Sequence, residues 1–280
     1  MNDQTTQLFP NLFLVGASKA GTTSIAEALG RHNEIFMTHP KEPNFFNQYD
    51  EPESISDKQL INYLKLYSNV TNEKIVGEAS VGYLDSVNAA KHIYNFNKNS
   101  KILISLRNPL TRITSLYDMY VRLGLEQDFD LASVEDPWLT RQCYYYEKIK
   151  RYIDTFDMAQ ILILDFEDLK NDWNGTLTSI FSFLGVDISE SNNPIVRNTG
   201  GIPKNSVYKV LTNRKLINIG KKMVPENIRN YVDLKIKKSV FVKTKLEKYQ
   251  KEQLLDIFKH DVSKLDELLD TDYKTKWLNL

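Results

Sequence analysis

Three short apolar runs constrain this chain more than anything else in it: NLFLVGA at 11–17, KILISLR at 101–107 and QILILD at 160–165. Each is strand-length, and each hands over to a helical pattern. After the first, TTSIAEALGR at 22–31 places Ile25, Ala28 and Leu29 on one face. After the second, Asn108 and Pro109 read as the N-cap and first residue of a helix reaching about Arg122. Beyond the third, WNGTLTSIFSFL at 173–184 is amphipathic and ends at Gly185. IVGEA at 75–79 is a weaker strand candidate. Continuously apolar strands alternating with helices predict an α/β fold, a mainly parallel sheet flanked by helices. Ligands of such sheets sit beyond the carboxyl ends of the strands, so residues just after each run carry the functional weight.

The 280 residues suit a single domain, 1–280, with about 204–280 expected as a basic, helical C-terminal extension. The net charge is zero, but between Lys204 and Lys251 there are 14 Lys and Arg against 3 Asp and Glu. Apolar Leu211, Leu216, Ile219 and Val224 are interleaved with Lys215, Lys221, Lys222 and Lys235. Two readings fit: a solvated helical face, or a surface that rests on anionic lipid headgroups and steers a polyanionic acceptor. The stretch LLDIFKHDVSKLDELL at 254–269 predicts an amphipathic helix. A single cysteine, Cys143, excludes an internal disulfide framework and a cysteine-rich metal site. No run of about 18 apolar residues predicts a spanning helix, and no secretory leader is visible in MNDQTTQLFPN. The expectation is a cytoplasmic protein, at most peripheral to a membrane, with no nucleic-acid partner.

Gly16-Ala-Ser-Lys-Ala-Gly-Thr-Thr23 links the first strand to its helix. Gly16, Gly21 and Thr23 keep the spacing of the nucleotide P-loop G-x-x-x-x-G-K-[ST], but Thr22 stands where the lysine belongs, and a lysine lies within the loop as Lys19. The cradle of backbone N–H groups survives this change, and Thr22, Thr23 and Ser24 add hydroxyls. The lysine that reaches a triphosphate tail does not. Such a loop suits a terminal phosphate or phosphosulfate better than ATP with magnesium, and Lys19 is placed to meet charge developing on a bridging oxygen. A second anion site is expected where Arg107 ends its strand and Ser115 follows two helical turns later, with Arg112 a further candidate. Two anion sites on different strands fit a nucleotide phosphorylated at both ends of its ribose.

These segments resemble the sulfotransferase superfamily, and within it the heparan-sulfate-type and bacterial glycan- or lipid-modifying members. SKAGTTS at 18–24 resembles the 5′-phosphosulfate loop, LRNPLTRITSLYDMY at 106–120 the 3′-phosphate motif, and PKEPNFF at 40–46 the family's K-E-P-H-F-F segment. GEASVGYL, YYYEKIKRYIDTF and FKHDVSKLDELL match more weakly. The resemblance implies a P-loop-type sheet and 3′-phosphoadenosine 5′-phosphosulfate (PAPS) as co-substrate, without a metal. It implies Lys19 as a catalytic residue and Glu42 as the base. It implies Ser18 to Ser24 with Ala20 and Gly21, and Arg107 and Ser115, as donor-binding residues. The acceptor would be a hydroxyl or amine of a glycan, glycolipid or small metabolite. Asn44 departs from the family's histidine.

Read without the family, a Lys-Glu pair such as Lys41-Glu42 is ordinarily a surface pair, and His39 and His32 are rival bases. Lys41 would bind sulfate oxygens or orient Glu42. Glu78 and Tyr83 are candidates for the acceptor side, with a packing role as the alternative. Phe45 and Phe46 read as core. Asp165, ending ILILD, imitates a magnesium-binding acid and keeps a P-loop kinase as the alternative enzyme; a non-enzymatic nucleotide or glycan binder is the third reading.

Overall fold

The computed structural model describes residues 9–123, 138–188, 202–203 and 241–280. The chain forms two compact units, one of Met1–Pro109, Tyr144–Ile195 and Phe258–Leu280, the other of Leu110–Cys143 and Val196–Ile257. The first holds a five-stranded, wholly parallel sheet ordered β2-β3-β1-β4-β5. Its strands are β1 (Leu12–Gly16), β2 (Ile35–Met37), β3 (Ile75–Ala79), β4 (Lys101–Leu106) and β5 (Ile161–Asp165). The mainly parallel sheet flanked by helices is the fold the apolar runs imply, and four of its five strands coincide with runs read in the sequence.

Period-two alternation decides which residue meets which layer. Leu12, Leu14, Ala79 and Leu103 share one core with Ile25 and Leu29 of α1 (Thr22–Leu29) and Ile180 and Phe181 of α8 (Trp173–Leu184). Phe13 points the other way and packs edge-on against Phe46, ring centroids 5.7 Å apart. Phe13 pairs in register with Glu78, which turns that carboxylate toward the aromatic layer of Phe46, Tyr63 and Tyr83. Helix α8 ends as its sequence predicts: Gly185 takes φ 75°, and the N–H groups of Gly185 and Val186 both return to Phe181 O.

Strand β2 and helices α2 (Asp57–Leu64) and α3 (Ala89–Phe96) were not read from the sequence. Strand β2 has three residues, too few for a periodicity. Helix α2 is largely exposed, with only Leu60, Tyr63 and Leu64 turned inward, and Ser56 and Gln59 close a capping box at its start. Helices α3, α6 (Tyr146–Ile153) and α7 (Phe166–Asn171) complete the layers of the first unit. In the second unit, α4 (Pro109–Leu123) and α5 (Trp138–Cys143) are tied by Arg112, 0% exposed, whose Nη1 donates to Gln142 O at 2.5 Å. A two-stranded antiparallel pair, β6 (Ile202–Pro203) and β7 (Phe241–Val242), precedes α9 (Lys248–Leu269). Helix α9 is the amphipathic helix expected there, with Leu254, Phe258, Val262 and Leu265 at 0% exposure. The basic stretch 204–240 lies outside the described residues.

Candidate active site

Lys19, Glu42 and Arg107 lie on segments that follow β1, β2 and β4, beyond the carboxyl edge of the parallel sheet. Leaving β1, the chain makes a tight turn over residues 18–21 and enters α1. The turn is fastened from β4: Ser105 O accepts Ala17 N–H at 2.7 Å, and Ser105 Oγ donates to Ala20 O at 2.6 Å. Ala20 is buried and its N–H closes onto Ala17 O at 3.2 Å, so this residue shapes the turn. Lys19 holds φ 68° and Gly21 φ 81°, both left-handed. Gly21 has no Cβ for a reason: one would stand 2.7 Å from Leu169 Cδ2. As N-cap of α1 it brings no side-chain cap, and no acid occupies the first turn. A helix start without a side-chain cap or an acid in its first turn suits an anion. Thr22 is buried, while Ser18, Thr23 and Ser24 are half-buried at the turn.

Arg107, just past β4, is joined to this turn. Its Nη1 donates to Lys19 O at 2.9 Å, and its guanidinium lies 4.8 Å from the Phe166 ring centroid. Tyr145 Oη donates to Arg107 O at 2.6 Å and fixes the backbone. The residue assigned to the second anion site thus also braces the first. Ser115 lies on α4, within the second unit.

Glu42 and Asn44, on the loop after β2, hold φ 67° and 52°. Asn suits that conformation, and its side chain works there: Nδ2 donates to Glu42 O at 3.1 Å. The loop is bonded from beneath. Ser80 Oγ accepts Asn44 N–H at 3.0 Å, and Tyr83 Oη accepts the N–H groups of Phe45 at 2.9 Å and Phe46 at 3.3 Å. Lys41 Nζ is 2.8 Å from Glu42 Oε1, with both side chains partly exposed.

Glu78 and Tyr83, candidates for the acceptor side, are instead at 0% exposure below this loop. Tyr63 and Tyr67 hydroxyls donate to Glu78 Oε2 at 2.9 and 3.0 Å, while Oε1 has no partner at hydrogen-bond geometry. Burial raises the Glu78 carboxyl above its ordinary range, although the hydroxyls of Tyr83, Tyr63, Tyr67 and Ser80 pull the other way. The same burial, with Glu78 beside them, pushes the Tyr63 and Tyr83 phenols up. Tyr63, Tyr67, Ser80 and Ser105 escaped the sequence reading, because their roles come from pairing across strands rather than from any local motif.

The rival groups differ in their surroundings. His32 is buried, its Nε2 2.8 Å from Asp187 O and its Nδ1 accepting Glu34 N–H at 3.1 Å. His39 is exposed. Asp165 is engaged in structure: Oδ1 accepts Glu167 N–H at 2.8 Å, and Oδ2 meets Trp277 Nε1 at 3.0 Å and Lys276 Nζ at 2.8 Å. That leaves the kinase alternative without its acid.

Comparison with known proteins follows the same lines. The family model described as "Sulfotransferase domain" matches residues 9–265. The bifunctional heparan sulfate N-deacetylase/N-sulfotransferase 1 of Xenopus tropicalis is 28% identical over 204 residues, 66% of this chain and 23% of that protein. The heparan sulfate glucosamine 3-O-sulfotransferase 6 of Mus musculus is 25% identical over 187 residues, 64% of this chain and 53% of that protein. The chain therefore spans less than two thirds of the length of either relative. Among solved structures, a sulfotransferase from Alicyclobacillus acidocaldarius superposes with a TM-score of 0.68 at 26% identity, covering 94% of this chain and 97% of that one.

Proposed function

Because this chain belongs to the sulfotransferase domain family, we propose that it moves a sulfuryl group from PAPS to a hydroxyl or amine of a glycan, glycolipid or small metabolite. The observation that carries the assignment to particular residues is conformational. Lys19 and Glu42, picked from two separate motifs, both sit in left-handed backbone, at φ 68° and 67°, on loops beyond the same edge of the sheet. Non-glycine residues hold such conformations only where the surroundings over-determine them, and they cluster at functional sites.

The donor's 5′ end lies against the turn of Ser18, Lys19, Ala20 and Gly21 and the first turn of α1, Thr22, Thr23 and Ser24. Its 3′-phosphate goes to Arg107. In the reaction the acceptor oxygen or nitrogen forms a bond to sulfur while Glu42 takes its proton. The bond between sulfur and the bridging phosphate oxygen breaks, and its electron pair leaves on adenosine 3′,5′-bisphosphate. The Lys19 ammonium offsets the charge that builds on that oxygen. No metal takes part. Lys41, paired with Glu42, orients it. Beneath them Glu78, Tyr83 and Ser80 hold the loop.

Calorimetry with adenosine 3′,5′-bisphosphate, with and without a chelator, tests the donor assignment. Equal binding in both is expected; tight ATP binding that needs magnesium would replace it with phosphoryl transfer. The basic stretch between Lys204 and Lys251 supports a peripheral contact with anionic membrane on the cytoplasmic side. Salt-sensitive sedimentation with anionic but not neutral vesicles is the expected result, and indifference to anionic vesicles at low salt removes it.

A further inference from the structure

A cleft of about 460 Å³ opens beside Glu42, between the loop after β2 and helix α2. Its floor is rigid. Phe45 and Tyr63, 8% and 4% exposed, stack with ring centroids 4.3 Å apart and planes 11° from parallel. The Tyr63 hydroxyl is tied to buried Glu78, so the ring cannot swing away. Tyr49 stands edge-on to Phe45 at 5.3 Å, and Pro40 and Pro43 also line the cleft. The α2 side is fixed by the Ser56 capping box, which engages the Gln59 amide oxygen.

The charge of this cleft is one-sided. Among the described residues that line it, Glu42 is the ionisable acid and there is no Lys or Arg. The adjoining cations are engaged, Lys41 with Glu42 and Lys65 Nζ with Asn62 Oδ1 at 3.0 Å. A polyanionic chain entering here would meet a carboxylate and apolar rings, with no cation in the walls to offset its desolvation. An uncharged ring would lay its C–H face on the aromatic floor and keep its hydroxyls at the polar rim.

We propose that this cleft receives the acceptor, and that the acceptor is an uncharged hydroxyl compound with an apolar ring face beside the nucleophilic oxygen, not a polyanionic glycan. The proposal rests on Glu42 being the base. Neutral glycosides and aryl alcohols share this chemistry, and 4-nitrophenyl β-D-glucopyranoside and benzyl alcohol probe the two sources. Heparan sulfate is the polyanionic competitor.

With PAPS saturating, the sulfated product of each probe is quantified by mass spectrometry, and adenosine 3′,5′-bisphosphate binding is measured in parallel. Expected is turnover of a neutral probe with kcat/KM at least tenfold above heparan sulfate and insensitive to salt. Tyr49→Ala should raise the KM of that probe about tenfold, with kcat changed much less and nucleotide binding unchanged. Asn62→Lys should narrow the gap between the probes by improving heparan sulfate. Preference for heparan sulfate, no product from either neutral probe, or an unchanged KM in Tyr49→Ala each overturns the proposal. Failure of the base reading looks different: Glu42→Gln would then stay active, while Tyr49→Ala still raised KM.

Discussion

The Tyr83 hydroxyl accepts the backbone N–H of Phe45 at 2.9 Å, and by that bond a residue just past β3 fixes the loop that carries Glu42. The same oxygen accepts Phe46 N–H, and Ser80 takes Asn44 N–H. Three consecutive amides of a loop with two left-handed residues are thus held from one short segment. Tyr83→Phe leaves two buried N–H groups without an acceptor, at a cost of about 1–3 kcal/mol each before relaxation. Turnover should fall at least tenfold with donor affinity unchanged. Normal turnover, measured at a temperature well below the variant's Tm, would remove Tyr83 from any positioning role.

Glu78 gives the fold a pH signature. Burial holds its folded pKa above the ordinary 4.5. The folded state therefore binds the proton more tightly than the unfolded chain. Below about 4.5 this contribution is complete, and it is lost as pH rises through the folded value. The stability difference between wild type and Glu78→Gln, followed by denaturant unfolding from pH 4.5 to 8, should shift steadily against the wild type. The Tyr63, Tyr67 and Tyr83 phenols are pushed up and do not titrate in this window. A difference flat with pH would mean that the carboxyl is not perturbed.

Arg107 combines two jobs, since its guanidinium donates to Lys19 O and its position at the end of β4 suits the 3′-phosphate. Arg107→Ala should weaken binding of PAPS by roughly tenfold to a hundredfold, the scale of one charge-assisted hydrogen bond. Binding of adenosine 5′-phosphosulfate, which lacks the 3′-phosphate, should weaken much less. Equal losses would leave Arg107 only the role of bracing the turn.

Gly21→Ala places a side chain at φ 81° and a methyl 2.7 Å from Leu169 Cδ2. The left-handed conformation alone costs about 1–2 kcal/mol, so Tm should fall by roughly 2–8 °C. Donor affinity should fall with it, as the turn shifts against α1. An unchanged Tm would show that the turn relaxes freely.

Much of this was legible in the chain. Buried strands β1, β4 and β5 are apolar runs of the right length, and the glycines around the first turn mark where side chains do not fit. Lys19 and Glu42 could be named as candidates because each lies in a segment that resembles a family motif. What supports them could not. Ser105, Tyr63 and Tyr67 act across sequence separations of 85, 15 and 11 residues, on Ala20 and Glu78, partners that no local pattern links to them. Glu78 and Tyr83 were noticed, but the sequence left the acceptor side and a packing role both open for them. A glutamate in a five-residue strand shows its face only once the register with Phe13 is fixed, and that register buries it. Helix α2 spans eight residues, too short for its Leu60, Tyr63 and Leu64 spacing to stand out, though its capping box was in plain view.

The central claim is that Lys19 and Glu42 carry sulfuryl transfer from PAPS. The most direct test is single-turnover conversion of labelled PAPS, with a chelator present, by wild type, Lys19→Ala and Glu42→Gln. The expected result is sulfated acceptor formed in step with adenosine 3′,5′-bisphosphate by the wild type. Lys19→Ala should be slower by roughly two to three orders of magnitude, Glu42→Gln inactive toward the acceptor, and both should still bind donor. Wild-type transfer that proceeds unchanged in both variants, or label that stays on PAPS with every acceptor, would contradict it.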